Sequence, residues 1–153
     1  MSDWISKLGL EAHPEGGFFR RIYTATRAAD GRPLATSIYY LLNRAQPRGR
    51  LHANRSDILH FLLDGGPADY LVVEADGGLR RARLDAESRF LLVAANEWKA
   101  TQLAASADRA LIAEVVVPGF EWHDHRYVAP EEVRGRCPQH FELLSPFLEP
   151  CTG

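Results

Sequence analysis

The sequence predicts an all-β fold, a β-sandwich or barrel with short helices at its two ends. Short segments rich in β-branched and aromatic residues recur about every ten residues, roughly nine times in all, and turn-forming residues separate them. Segments that suit helices lie near the termini. The chain has 153 residues, which fits one domain large enough to bury its own core. We therefore expect a single domain built from strands.

The first elements are a short helix, a turn and a strand. Ser2 or Asp3 can cap a helix that ends at Leu8, with a glycine directly behind it as the C-cap. The segment His13-Pro-Glu-Gly-Gly17 forms a turn, because proline fixes one backbone angle and glycine permits positive φ. A strand over residues 18–24 follows this turn.

The middle of the chain is a series of strands. Residues 36–42 are β-branched and aromatic and too few for an ordinary helix, so they predict a strand. The turn at 75–78 joins two strands in the clearest hairpin of the chain. The other predicted strands are the one that carries His52 and Asn54, and residues 58–63, 70–74, 79–84, 90–93, 98–103 and 110–117.

The C-terminal part changes character after a Pro-Gly break at 118–119. We expect residues 121–127 to be extended. Pro130 suits the first turn of a helix, and the two glutamates after it suit the positive end of the helix dipole. A second short helix over about 139–144 would complete the fold.

Composition and charge exclude several classes of function. The net charge is −2, and the basic cluster at residues 80–83 flanks a turn instead of aromatic stacking residues, so we expect no nucleic-acid partner. No apolar run approaches the length of a membrane span or a signal peptide. Cys137 and Cys151 lack the spacing of a metal site. These features predict a cytoplasmic protein with reduced cysteines and no membrane partner.

A set of polar side chains falls on predicted strands at even spacing. His52 and Asn54 share one face of their strand, as do residues 58 and 60 of the next, because strand side chains alternate with period two. Lys99 follows roughly forty residues later on another strand. Glu114 interrupts an apolar run, and a buried carboxylate needs a partner, for which Lys99 is the natural candidate.

These motifs, in this order, resemble the cupin superfamily, and within it the small single-domain group of predicted sugar epimerases. The resemblance implies a jelly roll (a double-stranded β-helix) over residues 1–153, a ligand cavity inside the barrel and a homodimer. It rests on the segments His13-Pro-Glu-Gly-Gly-Phe-Phe-Arg20, Thr36-Ser-Ile-Tyr-Tyr-Leu-Leu42, His52-x-Asn54-x-Ser56, Ile58-Leu-His60, Trp98-Lys-Ala100, Glu114-Val-Val-Val-Pro-Gly-Phe-Glu121 and Asp124-His125.

The same resemblance argues against a bound metal. Many cupins hold a divalent ion with a His-x-His motif, a following Glu and a later His. The matching positions here are His52, Asn54, Ile58 and Lys99. A protonated lysine has no lone pair, and one imidazole with an amide is a poor transition-metal site. We therefore expect no metal and no other cofactor.

The predicted function is a small-molecule-binding cupin, with metal-independent epimerase or isomerase chemistry on a small polar or anionic ligand. The alternative is a non-catalytic barrel that binds or senses such a ligand, and a metal-dependent oxygenase is disfavoured by the ligand set. The candidate catalytic residues are His52, His60 and Lys99, and the candidate ligand-binding residues are Tyr39, Asn54, Trp98 and Glu114.

Other interpretations of these residues stay open at the level of sequence. His60 could be a core histidine bonded to a backbone carbonyl. Lys99 would face solvent if the strand register shifted by one residue. Tyr39 and Tyr40 face opposite ways, and Tyr39 is our candidate for the cavity.

Two further motifs have simpler interpretations. The segment 123–125, His-Asp-His, is expected at an exposed edge or a dimer seam. The turn at 13–17 is expected to be structural, although Glu15 or Arg20 could reach the mouth of the barrel.

Overall fold

The protein folds into two antiparallel sheets with short helices at both ends, in a computed structural model that describes residues 3–149. The helices are α1 Trp4–Leu8, α2 Pro130–Arg136 and α3 Phe141–Leu144. The strands within these residues are β1 Glu11–Ala12, β2 Phe18–Thr24, β3 Thr36–Asn43, β4 Arg48–Asn54, β5 Asp57–Gly65, β6 Ala68–Val73, β7 Leu79–Leu84, β8 Phe90–Val93, β9 Trp98–Leu103, β10 Arg109–Val117 and β11 His125–Tyr127.

The two sheets are layered as the predicted jelly roll requires. The first sheet has the order β1-β2-β3-β10-β5-β8, and the second has the order β11-β4-β9-β6-β7. Apolar side chains of both sheets meet in a shared core, in which Leu42 and Ile112 of the first sheet pack with Tyr70 and Val72 of the second. The all-β prediction is confirmed, and every predicted strand between residues 18 and 117 is present with shifts of at most a few residues at its ends.

The outer face of the first sheet is partly covered by α1. Tyr39 packs there with Leu41 and the residues of α1, whereas Tyr40 points into the core. The expectation that Tyr39 faces the cavity is therefore wrong, because the alternation of β3 places it on the helix side of the sheet. Asp3 caps α1 through a hydrogen bond from the Ile5 backbone N–H, and Ser2 lies outside the described residues.

The outer face of the second sheet is covered by the C-terminal helices. Trp98 is buried there with Leu51, Val133 and Leu144, and the Arg136 guanidinium stacks 3.9 Å from the centre of its ring. The prediction that Trp98 contacts a ligand in the barrel is therefore wrong. Neighbouring residues of one strand face opposite ways, so placing Lys99 inside turns Trp98 outward.

The segment after the Pro-Gly break is less extended than predicted. Residues Trp122–Asp124 form a 3-10 turn, and only His125–Tyr127 make a strand, which pairs with β4. Asp124 is buried and forms a salt bridge with Arg32, which holds the turn against the loop before β3. Among the described helices, each is too short to cross a membrane.

Candidate functional site

A cavity of about 220 Å³ opens between the two sheets near β11. One part of its wall is aromatic and aliphatic, and the other part carries ionisable side chains. The apolar wall includes Phe19, Ile38, Ile58, Phe120 and Trp122. The polar wall includes Glu15, Arg21, His52, Asn54, Glu114 and His125.

Three buried side chains, which we call the inner cluster, converge from three strands. They are His60 of β5, Lys99 of β9 and Glu114 of β10. Lys99 Nζ lies 2.6 Å from His60 Nε2 and 3.3 Å from each oxygen of the Glu114 carboxylate. Glu114 borders the cavity, and the other two side chains lie behind it.

The hydrogen bonds of the inner cluster define its protonation. His60 Nδ1 lies 3.1 Å from the Leu91 carbonyl oxygen, which can only accept, so Nδ1 carries the proton and Nε2 accepts from Lys99. Burial, reinforced by the nearby Lys99 charge, lowers the pKa of His60 to about 4. Burial alone would raise the pKa of Glu114, but the Lys99 charge holds that pKa below its usual range. The cluster is thus a salt bridge beside a neutral imidazole.

A second group, which we call the outer cluster, lies at the cavity wall near β11. It consists of Glu15 from the turn before β2, His52 of β4 and His125 of β11. Glu15 Oε2 lies 3.2 Å from His52 Nε2 and 3.5 Å from His125 Nε2. All three side chains are at least nine-tenths buried.

The tight turn at 13–17 carries Glu15 into the barrel. The Glu15 carbonyl accepts from the Arg50 backbone N–H at 2.7 Å, and the Tyr40 hydroxyl donates to the Gly16 carbonyl at 2.9 Å. Gly16 has φ +101, and a Cβ on it would lie 2.2 Å from the Arg48 carbonyl oxygen. Only glycine fits this approach, so the turn both shapes the loop and presents the carboxylate.

The outer cluster brings hydrogen-bond acceptors together. His52 Nδ1 lies 2.6 Å from the Arg50 carbonyl oxygen, so Nδ1 carries the proton and the Nε2 lone pair faces the Glu15 carboxylate. Burial lowers the pKa of His52 to about 4, against the opposing Glu15 charge. Burial alone would raise the pKa of Glu15, but His52 and His13 hold that pKa well below its usual range. At neutral pH, a carboxylate therefore faces a neutral imidazole.

The structure distributes the seven predicted site residues over three places. His52, Asn54 and Glu114 border the cavity. His60 and Lys99 lie behind Glu114, and the open question about the register of Lys99 is decided in favour of the interior. The remaining two residues, Tyr39 and Trp98, lie on the outer faces of the first and second sheet.

Two residues of the outer cluster, Glu15 and His125, are more buried than the sequence predicts. His125 was expected at an exposed edge, but its side chain is 7% exposed, whereas that of His123 is 71% exposed. The register of β11 on β4 pairs His125 with Asn54 and so turns the imidazole inward. The sequence predicts only that Glu15 could reach the mouth of the barrel, whereas its side chain is buried against His52. The sequence signal that could have indicated Glu15 and His125 was the presence, in this order, of the His-Pro-Glu motif at 13–15 and the Asp-His motif at 124–125.

Comparison with known proteins agrees with this architecture. Residues 2–128 match the family model described as Cupin superfamily (DUF985). The chain belongs to the cupin superfamily. This cupin is 30% identical to the uncharacterized protein YML079W of Saccharomyces cerevisiae, over 86% of its own length and 75% of the yeast protein. It is also similar to the crystal structure of protein SO0799 from Shewanella oneidensis, with 27% identity, a TM-score of 0.86 and coverage of 97% and 96% of the two chains.

A more distant match shows the fold alone. Oxalate decarboxylase from Bacillus subtilis superposes with a TM-score of 0.60 and 13% identity, over 93% of this cupin and 38% of that chain. The resemblance to metal-binding cupins implies that the usual ligand positions fall here at His52, Asn54, Ile58 and Lys99. Ile58 has no donor atom, and Lys99 is engaged by Glu114, so these four positions do not fit a metal ion.

Proposed function

We propose that this cupin binds a small, neutral, polyhydroxylated molecule, such as one sugar-like ring, in the cavity of its barrel. The observation that carries this proposal is the composition of the cavity wall. Carboxylates and an unprotonated imidazole nitrogen face an aromatic and aliphatic surface across one small space. Such a space suits a ligand whose edge donates hydrogen bonds and whose face is apolar.

The polar wall supports a hydrogen-bond donor as ligand. Glu15 and Glu114 are ionised and accept only, and His52 presents a lone pair. The earlier expectation of an anionic ligand depended on the Lys99 ammonium. Lys99 is engaged by Glu114, so its positive charge is balanced within the inner cluster, and the Arg21 guanidinium at the cavity wall lies over the Phe120 ring. Hydroxyl groups would satisfy these acceptors without bringing in more negative charge.

The apolar wall and the volume support a single ring. Phe120 and Trp122 pack edge to face, with ring centres 4.9 Å apart, and both border the cavity. Rigid aromatic surfaces bind the CH faces of ring-shaped ligands with little loss of conformational entropy. The cavity is smaller than the roughly 300–1,000 Å³ of sites for drug-sized molecules, so one ring fits the space better than a nucleotide-linked sugar.

A second candidate, which retains the epimerase or isomerase prediction, is supported by the presence of two carboxylates in one cavity. Glu114 belongs to the first sheet, whereas Glu15 lies against His52 of the second. One carboxylate could remove a proton beside a carbonyl group while the acid form of the other returns a proton to the opposite face. Their lowered pKa values make both carboxylates weak bases, which is why we rank catalysis below binding.

The binding proposal is tested by isothermal titration of the purified chain with neutral sugars and with matched sugar acids. We expect neutral sugars to bind more tightly, and we expect Trp122→Ala to weaken that binding about tenfold because the stacking surface is lost. His123→Ala, which changes an exposed side chain one residue away, is the control. Preference for the acids, or binding unaffected by Trp122→Ala, would contradict the proposal.

The catalytic candidate needs a different measurement. Proton NMR in deuterated water would detect exchange of the hydrogen next to a carbonyl group in any sugar that binds. Exchange that disappears in Glu114→Gln while binding persists would establish acid–base chemistry. Tight binding without exchange would leave the chain as a binding or sensing protein.

We also propose that the chain forms a homodimer through the free edge of its first sheet. Strand β8 lies at that edge, and a second copy of β8 could pair with it about a two-fold axis. Exposed apolar side chains surround this edge on β5 and β8, namely Phe61, Leu63, Phe90 and Leu92. Light scattering after size exclusion should give a dimer mass for the wild type and a monomer mass for Phe90→Asp. A monomeric wild type would refute the dimer.

A further inference from the structure

We propose that Glu15, His52 and His125 bind one divalent first-row transition-metal ion at the wall of the cavity. The site shares only His52 with the ligand positions usual in cupins. It goes beyond the proposed binding of an organic molecule, since the metal can be measured with no such molecule present. It also replaces the expectation, drawn from the sequence, that the barrel is free of metal.

The spacing of the three donor atoms suits one ion. Glu15 Oε2, His52 Nε2 and His125 Nε2 are candidate donors, and such atoms of the three residues lie within 4.8 Å of one another. The two contacts to Glu15 are 3.2 Å and 3.5 Å. Neighbouring ligands bound at about 2.1 Å lie about 3.0 Å apart around an octahedral ion and about 3.4 Å apart around a tetrahedral ion. The two distances to Glu15 therefore match either geometry, and the donor atoms of the two histidines lie within 4.8 Å of each other.

The orientation of His52 is that of a metal ligand. Its Nδ1–H donates to the Arg50 carbonyl oxygen at 2.6 Å, which fixes the ring and leaves Nε2 as the free donor atom, 3.2 Å from Glu15 Oε2. Metal-bound histidines commonly donate their second nitrogen to a carbonyl or carboxylate in this way. A cation bound to both atoms would place this imidazole nitrogen and carboxylate oxygen in one coordination shell.

His125 supplies independent support. Its Nε2 is buried and has no hydrogen-bond partner among residues 3–149, although it lies 3.5 Å from Glu15 Oε2. Buried polar atoms are nearly always satisfied, so this nitrogen lacks a partner that a bound ion would provide. The ring is held by aromatic neighbours, with centre-to-centre distances of 5.1 Å to Tyr127 and 4.9 Å to His52. The imidazole is thus oriented before any ion arrives.

The donor set indicates which metals and ligands belong there. Two imidazoles and one carboxylate favour Mn²⁺, Fe²⁺, Co²⁺, Ni²⁺ or Zn²⁺ over the oxygen-loving Ca²⁺. Three protein ligands leave coordination positions open, and all three residues border the cavity. A molecule with adjacent hydroxyl or carbonyl oxygens could occupy those positions.

The test measures binding of Co²⁺ alone. Protein that has been treated with chelator and dialysed is titrated with CoCl₂, followed by calorimetry and by the visible absorption of bound cobalt. We expect one equivalent to bind, and we expect Glu15→Gln and His125→Ala to weaken binding by at least about tenfold. His123→Ala is the matched control, because that histidine is two residues away and exposed. Circular dichroism establishes that each variant is folded.

A second measurement does not depend on the variants. Pulsed electron paramagnetic resonance of Cu²⁺ bound to the wild type counts the coordinated imidazoles, and we expect two. Weak or no binding to the wild type, one imidazole or none, or a loss in His123→Ala as large as in His125→Ala would overturn the proposal. Each of these results is obtained with no sugar present, so the two proposals can fail separately.

Discussion

Two buried polar clusters share one barrel, and they differ in how their charges are balanced. In the inner cluster the Lys99 ammonium is in contact with the Glu114 carboxylate and with the lone pair of His60. In the outer cluster the Glu15 carboxylate faces the lone pair of His52, and a nitrogen of His125 has no hydrogen-bond partner within the described residues. One cluster is complete, whereas the other lacks a cation or a hydrogen-bond donor.

The difference shows that burial of a polar cluster does not by itself indicate whether its groups satisfy one another. Both clusters are withdrawn from solvent, and both contain one carboxylate and at least one imidazole. Burial of polar groups is tolerated when they satisfy one another, which the inner cluster does. In the outer cluster, His125 Nε2 has no hydrogen-bond partner among residues 3–149. Comparable substitutions in the two clusters should therefore have different effects.

The largest effect is expected from removing one carboxylate charge in each cluster. Glu114→Gln leaves Lys99 buried without its counter-ion and should lower the free energy of unfolding by about 3–5 kcal/mol. Glu15→Gln should change it by less than about 1 kcal/mol, because the new amide can donate to the His52 lone pair. Urea unfolding at pH 7 without metal measures both. Equal losses would show that the outer cluster is also complete.

Added metal should bring the stability losses of Glu15→Gln and Glu114→Gln closer together. Co²⁺ at one hundred times its dissociation constant should stabilise the wild type by about 2.7 kcal/mol, because it binds the folded state. Glu15→Gln, with at least tenfold weaker binding, should gain at most about 1.4 kcal/mol at the same Co²⁺ concentration, whereas any folded variant of the inner cluster should gain as much as the wild type. Thermal unfolding with and without Co²⁺ provides the comparison. A gain that depends on Glu114 and not on Glu15 would place the ion elsewhere.

Acid should destabilise both clusters over the same range of pH. The pKa values of His52 and His60 are about 4 in the folded protein and about 6.5 in an unfolded chain. The unfolded chain therefore binds more protons between these values, and the stability present above pH 6.5 falls as the pH drops towards 4. We expect roughly 2 kcal/mol of loss per histidine between pH 7 and 4.5.

Variants show which histidines cause the loss of unfolding free energy between pH 7 and 4.5. Urea unfolding of His60→Gln and His52→Gln at both pH values should show a smaller loss than the wild type shows. His123→Ala should retain the full loss, because that side chain is exposed. A wild-type stability that is unchanged between pH 7 and 4.5 would mean that neither imidazole is held neutral.

The smallest effect concerns the turn that carries Glu15. Tyr40→Phe removes the hydroxyl that donates to the Gly16 carbonyl and should cost about 1–2 kcal/mol of stability. It should also weaken Co²⁺ binding, because the turn that positions Glu15 loses its anchor. Tyr39→Phe is the control, since Tyr39 packs on the opposite face of the same strand. Equal effects of the two substitutions would show that the turn does not depend on this hydrogen bond.

Much of the fold could be predicted from local sequence. Strands β2, β7, β8 and β9 have the bounds that alternation and turn residues indicate. The period of two also placed His52 and Asn54 together on one face. The segment at 121–127 was predicted less well, because the buried contact of Asp124 with Arg32 joins residues that are distant in sequence.

The sequence by itself determined the class of fold, the family and the polar content of the barrel, because these depend on periodicity and on short motifs. Tertiary structure decided which of Tyr39 and Tyr40 faces inward and that Lys99, not Trp98, enters the barrel. It also assembled the outer cluster from residues 15, 52 and 125. Side-chain direction in a strand reverses with a shift of one residue, and only the pairing between strands defines that register.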